Sequence, residues 1–108
     1  MNPTTAPVTQ WHIDNGKACE GAECPIALAV LEALAAQGVH THSIHVAICR
    51  VTVDLAVIHG QRRFVADLDE HANDFIQALD ECEEDRSEDD QAIIAPFELE
   101  LTWREGTR

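Results

Sequence analysis

Apolar and polar residues alternate in four stretches of the chain, and a period of two is typical of half-buried β-strands. The stretches are Val8–Asp14, Ile44–Ile58, Arg62–Ala66 and Ala95–Trp103. The second is predicted to be one long strand, and the turn residues His59-Gly60-Gln61 let the third return beside it as an antiparallel hairpin.

Two other segments are predicted to be helices. The first runs from Pro25 to Gln37, with Cys24-Pro25 at its start and Gly38 after its end. It is apolar around its circumference, so it has to be buried in the fold or in a contact between subunits. The second runs from about Asp69 to Glu84, and its apolar face is formed by Leu68, Ala72, Phe75, Ile76, Leu79 and Cys82.

The resulting order predicts an α+β fold with the split βαβ (ferredoxin-like) arrangement, β-α-β-β-α-β. Both helices then cover one face of a four-stranded antiparallel sheet. The length of 108 residues fits a single domain, with a flexible N-terminus at 1–7 and an acidic loop at 84–92. Leu68, Phe75, Ile76 and Leu79 are expected to pack against strand residues from Val51 to Val57 and from Phe97 to Leu101.

The charge of the chain narrows the choice of partners. Its formal net charge is −13, so nucleic acids and anionic membranes repel it and direct binding to either is not expected. No apolar run reaches the roughly 18 residues that a membrane-spanning helix needs. Residues Met1–Val8 lack the basic and apolar parts of a signal peptide, so we expect a cytoplasmic protein.

Most of the negative charge lies in one segment. Between Asp67 and Asp90 there are twelve acidic residues and one basic residue, Arg86, whereas the rest of the chain has a net charge of only −2. If Asp69–Asp85 is helical, its eight carboxylates extend over roughly 25 Å, or about one per 3 Å. One DNA strand presents about one phosphate per 3.4 Å.

This similarity predicts a surface that imitates a nucleic-acid backbone and binds the basic groove of a DNA- or RNA-binding protein. Several acids also fall at a helix C-terminus, where the macrodipole disfavours each of them by about 0.3–1 kcal/mol. The alternative is an acidic surface that only improves solubility. The predicted partner-binding residues are Asp69, Glu70, Asp74, Asp80, Glu81, Glu83, Glu84, Asp85, Glu88, Asp89 and Asp90.

A metal site of the Cys2His2 type can be drawn from Cys19 and Cys24 with two of His40, His42 and His45. His40 and His42 lie only two residues apart, whereas the histidine pair of a common zinc finger lies about three to five residues apart. We therefore expect Cys24 to be a buried residue at the start of a helix. No metal and no other cofactor are expected.

Cys24 is also a candidate nucleophile, because a position at a helix N-terminus can lower the pKa of a thiol. The sequence supplies no adjacent histidine, no glycine-rich phosphate loop and no G-x-S-x-G turn. We predict no catalytic residues and no enzymatic activity.

Three short motifs occur in order along the chain: Cys24-Pro25-Ile26-Ala27-Leu28-Ala29, then Phe75-Ile76-x-x-Leu79-Asp80, and finally Ala95-Pro96-Phe97-Glu98-Leu99. They resemble the C-P-x-A-L-A helix start, the FI..FD helix and the PF.F.L final strand of small uncharacterised proteins from actinobacterial phages and prophages. The resemblance implies a phage origin and no particular activity. This chain departs from that pattern by a longer, acidic segment between Asp80 and Pro96.

Together these features predict a phage- or mobile-element-encoded inhibitor of a host nucleic-acid enzyme, such as a CRISPR complex, a restriction enzyme or a DNA-repair enzyme. The expected partner is a basic nucleic-acid-binding protein or nuclease complex of the host. Two alternatives stay open. One is a structural or adaptor protein that dimerises through Pro25–Gln37, and the other is a small metal-binding regulator.

Overall fold

Six strands and four helices make up the described part of the chain, which comprises residues 1–18, 20–57, 60–81 and 87–106 of this computed structural model. The predicted α+β class is confirmed. No helix in these ranges is long and apolar enough to cross a membrane. The strands are β1 (Thr4–Val8), β2 (Thr41–Ala47), β3 (Arg50–Val57), β4 (Gly60–Asp67), β5 (Phe97–Leu101) and β6 (Arg104–Glu105). The helices are α1 (Gln10–Asn15), α2 (Pro25–Ala36), α3 (Glu70–Asp80) and α4 (Glu88–Ile93).

The described strands form two antiparallel sheets. β1 pairs with β5, while β2, β3, β4 and β6 lie side by side in that order. Only Thr102 and Trp103 separate β5 from β6, so the C-terminal segment connects the two sheets. The split βαβ arrangement is not confirmed, because the middle of the chain supplies three consecutive strands where that arrangement has two.

The segment Ile44–Ile58, predicted as one strand, folds back on itself half-way. Val46 lies opposite Val51 and Ile44 lies opposite Val53 in the resulting hairpin of β2 and β3. All four side chains are buried in the same core. The single-strand prediction is therefore wrong, because a turn separates the two halves and reverses the chain direction.

The predicted antiparallel return of the chain after this segment is confirmed. β4 pairs with β3 along its whole length, from Asp67 opposite Arg50 to Gly60 opposite Val57. Of the predicted turn residues, His59 lies outside the described residues.

Ile48 and Cys49 form the turn between β2 and β3. The φ angle of Cys49 is 73°, in the left-handed region that residues other than glycine rarely adopt. The Cys49 N–H donates to Asn73 Oδ1 at 2.6 Å, and the Cys49 carbonyl accepts from the Leu68 N–H at 2.9 Å. Contacts with the α3 region therefore hold a turn that contains no typical turn-forming residue.

We expect the Cys49→Gly variant to be more stable than the wild type by about 0.5–1 kcal/mol, because glycine adopts a positive φ without the steric cost. Cys49→Ala is the matched control, since it removes the same sulfur and keeps the Cβ atom. It should be no more stable than the wild type. Urea unfolding followed by tryptophan fluorescence measures both variants, and equal stabilisation of the two would contradict the backbone explanation.

The N-terminal residues form a paired strand and a short helix. Thr4, Ala6 and Val8 of β1 are buried against the fold, and the strand pairs with β5 over its full length. Residues 1–7 therefore contain a strand in place of the expected flexible segment. The predicted strand at Val8–Asp14 is also wrong, because the chain is helical from Gln10 onward.

Helix α1 begins where Thr9 caps it. The Thr9 hydroxyl accepts from the His12 N–H, and His12 Nδ1 accepts from the Thr9 N–H at 2.9 Å. Because Nδ1 accepts a hydrogen bond, the ring proton is on Nε2, which donates to Glu32 of α2 at 2.9 Å. The buried His12 ring therefore links α1 to α2.

One apolar core includes side chains from both sheets and from α2 and α3. Phe75 is fully buried, and the predicted register of α3 is confirmed because its apolar face contacts the core while Glu70 and Asp74 are exposed. The residues predicted to pack together belong to one buried cluster, which contains Leu68, Phe75, Ile76 and Leu79 together with Val51, Val53, Leu99 and Leu101.

Candidate functional site

The acidic residues of α3 lie on the side of the helix that faces away from the core. Asp69 caps the helix, and its carboxylate accepts from the Ala72 N–H at 2.8 Å. Glu70, Asp74 and Glu81 are exposed. Their spacing of four and seven residues places them along one face of a helix with 3.6 residues per turn. The helix therefore presents a row of carboxylates to the surroundings.

Helix α3 is shorter than predicted. It ends at Asp80, and Glu81 is its C-cap residue. From Asp69 to Glu81 the five carboxylates extend over about 18 Å, which is a mean axial interval of about 4.5 Å. This interval is somewhat longer than the roughly 3.4 Å between phosphates along a DNA strand. The remaining part of the predicted helix and site lies outside the described residues: Cys82, Glu83, Glu84 and Asp85.

Helix α4 (Glu88–Ile93) begins inside the segment 84–92, which was expected to be a loop. The Ser87 hydroxyl accepts from the Asp90 N–H at 3.1 Å, and the Asp90 carboxylate accepts from the Ser87 N–H at 3.3 Å. Glu88 and Asp89 complete the first turn, where the helix dipole favours negative charge. These three acids therefore stabilise the start of α4, which is a structural reason for their presence.

Most described acids of this segment are not neutralised by a described base. Asp67 is neutralised, because Arg104 lies 2.9 Å from its carboxylate and the hydrogen bond lowers the pKa of Asp67. Seven others have no described lysine or arginine within ion-pair distance: Asp69, Glu70, Asp74, Glu81, Glu88, Asp89 and Asp90.

The described basic residues are concentrated on the four-stranded sheet, which the sequence analysis did not predict. Four of the five lie on β3, β4 and β6, and three of these form ion pairs there. Arg63, for example, donates to both carboxylate oxygens of Asp54 at 2.8 and 3.2 Å. Positive charge on the sheet is thus largely paired, while Glu70 and Asp74 of α3 and the three acids of α4 have no described lysine or arginine beside them.

The residues drawn as a metal site do not form one in the described structure. Cys24 is buried at the start of α2, whereas His40, His42 and His45 are exposed. Cys19 lies outside the described residues. Among the described residues, no three His, Cys, Asp or Glu side chains are grouped closely enough to hold a metal ion.

The environment of Cys24 does not activate its thiol. Burial raises the pKa of Cys24, and the negative charge of Asp80 raises it further, while hydrogen bonds from the backbone N–H groups of Ala27 and Ile26 act in the opposite direction. The position at a helix N-terminus, which can lower the pKa of a thiol, is therefore outweighed here by burial. The thiol stays protonated at neutral pH and is a weak nucleophile.

The apolar composition of α2 is explained by packing within the chain. Ile26, Val30 and Leu34 are fully buried in the common core, and Leu28 and Leu31 are half-buried. Most of the apolar surface of the predicted dimerisation helix, Pro25–Gln37, is thus already in contact with the rest of the protein.

The chain matches no protein-family model, no curated protein and no solved structure. Within the described residues, α3 carries a row of exposed carboxylates, Glu70, Asp74 and Glu81.

Proposed function

We propose that this protein is a phage- or mobile-element-encoded inhibitor of a host nucleic-acid enzyme and acts in the host cytoplasm as a mimic of a nucleic-acid backbone. The observation that supports this proposal is the row of exposed carboxylates on α3, whose mean axial interval of about 4.5 Å is of the same order as the phosphate interval along a DNA strand. Four of its members, Asp69, Glu70, Asp74 and Glu81, have no described base to neutralise them.

Helix stability explains Asp69 and Glu70 but does not explain Asp74 and Glu81. Asp69 is an N-cap and Glu70 lies in the first turn, where both are favourable. Asp74 lies one turn after Glu70, and a like-charge pair at this spacing costs about 0.2–0.5 kcal/mol. Glu81 lies at the C-terminus of α3, where the helix dipole disfavours a carboxylate.

The proposed mechanism is occlusion of a nucleic-acid groove. The carboxylates pair with lysine and arginine side chains that normally hold phosphates, and long-range attraction accelerates the encounter. The enzyme is then blocked without any chemical reaction. Because many partly exposed charge pairs contribute, binding should weaken steeply with salt.

The test is a DNA-cleavage assay with a candidate host nuclease that the wild-type protein inhibits. We expect the double variant Asp74→Lys/Glu81→Lys to inhibit about tenfold less well or worse, because two attractive pairs become repulsive. The same substitution at two exposed acids of β5, Glu98→Lys/Glu100→Lys, is the matched control and should have little effect.

Loss of inhibition by the α3 variant should not result from unfolding. Asp74→Lys replaces the like-charge pair with Glu70 by an opposite-charge pair, so it should stabilise α3 slightly. Competition with duplex DNA provides the decisive measurement. A protein that binds its target equally well with saturating duplex DNA present is not a mimic of the nucleic-acid backbone, and equal loss of inhibition in both double variants would indicate a general charge effect.

A further inference from the structure

A pocket of about 230 Å³ opens beside the acidic helix. Its walls come from the start of α2, from β2 and the turn after it, and from α3. The loop before α2 closes one side, where the Gly21 carbonyl accepts from the Val46 N–H at 2.8 Å. A Cβ atom on Gly21 would lie only 2.6 Å from the His45 ring, so glycine allows this close approach.

The lining of the pocket is apolar with an acidic component. Ile26, Val46 and Phe75 are buried core residues, whereas Glu20 and Asp80 are exposed. The lining contains no lysine or arginine. Ile48, at the turn, also lines the pocket and is 53% exposed. An occupant therefore meets an apolar surface with negative charge beside it.

We propose that this pocket receives one apolar side chain from a basic segment of the partner protein, with a neighbouring lysine or arginine of that segment pairing with Glu20. The volume suits a single side chain, because pockets for drug-sized molecules begin at about 300 Å³. A second copy of this chain is a poor occupant, since it brings the same net charge of −13.

This inference rests on the proposed function, because it assigns the pocket and the carboxylates to one and the same partner. Helix α3 supplies both features: Phe75, Ile76 and Leu79 line the pocket, while Glu70 and Asp74 lie on its exposed face. Exposed charge pairs contribute little affinity individually. Protein interfaces obtain most of their affinity from a few side chains that fill desolvated pockets. The pocket therefore supplies a desolvated contact that the exposed carboxylates do not provide.

The probes are two synthetic peptides, acetyl-Arg-Arg-Leu-Arg-Arg-amide and the same peptide with serine in place of leucine. Each is titrated into the isotope-labelled full-length protein and followed by amide NMR shifts. We expect the leucine peptide to bind at least about fivefold more tightly, since it buries an apolar side chain. Its largest shifts should fall on Val46, Ile76 and Leu79. Equal binding of the two peptides, or shifts centred elsewhere, would overturn the proposal.

A substitution inside the pocket gives a second readout. Ala47 is exposed and lines the pocket, so Ala47→Phe should fill it and remove the preference for leucine. Ala35→Phe adds the same side chain at an exposed position of α2 outside the pocket and should keep the preference. If Ala47→Phe does not fold, the comparison of the two peptides on the wild type still decides.

The two proposals fail in different ways. Mimicry alone is refuted if the leucine peptide binds better at the pocket but duplex DNA does not displace the protein from its target. The pocket assignment alone is refuted if duplex DNA displaces the protein from its target but the leucine peptide binds no better than the serine peptide.

Discussion

The Phe75→Ala variant should lose about 3–5 kcal/mol of unfolding free energy, the usual cost of deleting a buried aromatic side chain. Phe75 is fully buried, and the centroid of its ring lies 5.0 Å from that of Phe97. The substitution removes apolar contacts and leaves a cavity between α3 and the strands. Because a domain of this size is stable by about 5–15 kcal/mol in total, the loss is a large fraction of its stability.

Urea unfolding at neutral pH measures this effect, and two other variants calibrate it. Phe75→Leu keeps most of the apolar volume and should cost only about 1–2 kcal/mol. Phe97→Ala should cost less than Phe75→Ala, because Phe97 is only half-buried. A loss of under about 1 kcal/mol for Phe75→Ala would show that α3 does not pack on the core through this residue.

Replacement of Thr4 by valine should cost about 1–3 kcal/mol, although the two side chains have nearly the same shape. The buried Thr4 hydroxyl accepts from the Trp103 indole N–H at 2.9 Å and donates to Gln37 Oε1 at 3.0 Å. Valine leaves the indole N–H without its acceptor in a buried position. The penalty of an unsatisfied buried group exceeds the net contribution of an ordinary hydrogen bond.

Thr5→Val is the matched control, because Thr5 is the exposed neighbour of Thr4 on the same strand. Its unfolding free energy should change by no more than about 0.5 kcal/mol. A double-mutant cycle with Trp103→Phe isolates the contact: if the hydrogen bond is the cause, the second substitution should cost much less in the Thr4→Val background. Additive effects of Thr4→Val and Trp103→Phe would contradict this explanation.

The two longer helices, α2 and α3, were easier to predict from the sequence than the strands or the short helices α1 and α4. In α3 the apolar residues recur at helical spacing, and only one register buries them, so the exposed positions of Glu70 and Asp74 follow directly. In α2 the start at Pro25 and the positive φ of 77° at Gly38 match the predicted ends. Both helices were recognisable because local chemistry and burial point to the same structure.

The error at Ile44–Ile58 has a physical explanation. Ile44 and Val46 are buried at even positions, whereas Val51 and Val53 are buried at odd positions. In a continuous strand the buried residues are all at even positions or all at odd positions. The change from even to odd positions was therefore the available signal for a turn. The turn contains no glycine, proline or asparagine, and the Asn73 side chain that supports it is distant in sequence.

The position of the acidic segment could be read from the sequence, but its division into two helices could not. The sequence did not predict the end of α3 at Asp80, after which Glu81 has an extended backbone, or the Ser87 cap that starts α4. The pocket beside α3 was missed for a different reason. It exists because the chain turns after β2, and the prediction of a straight strand left no space for it.

The contact between Thr4 and Trp103 joins positions 99 residues apart, and this has a consequence for synthesis on the ribosome. In the described structure β1 has β5 as its only strand neighbour, and β4 gains its second neighbour only with β6. Until Phe97–Glu105 has emerged, β1 therefore lacks its strand partner and the edge of β4 that β6 covers is open, so both can pair with other chains. We expect a chain that stops before Phe97 to keep these strands unpaired and to be a better substrate for chaperones and proteases.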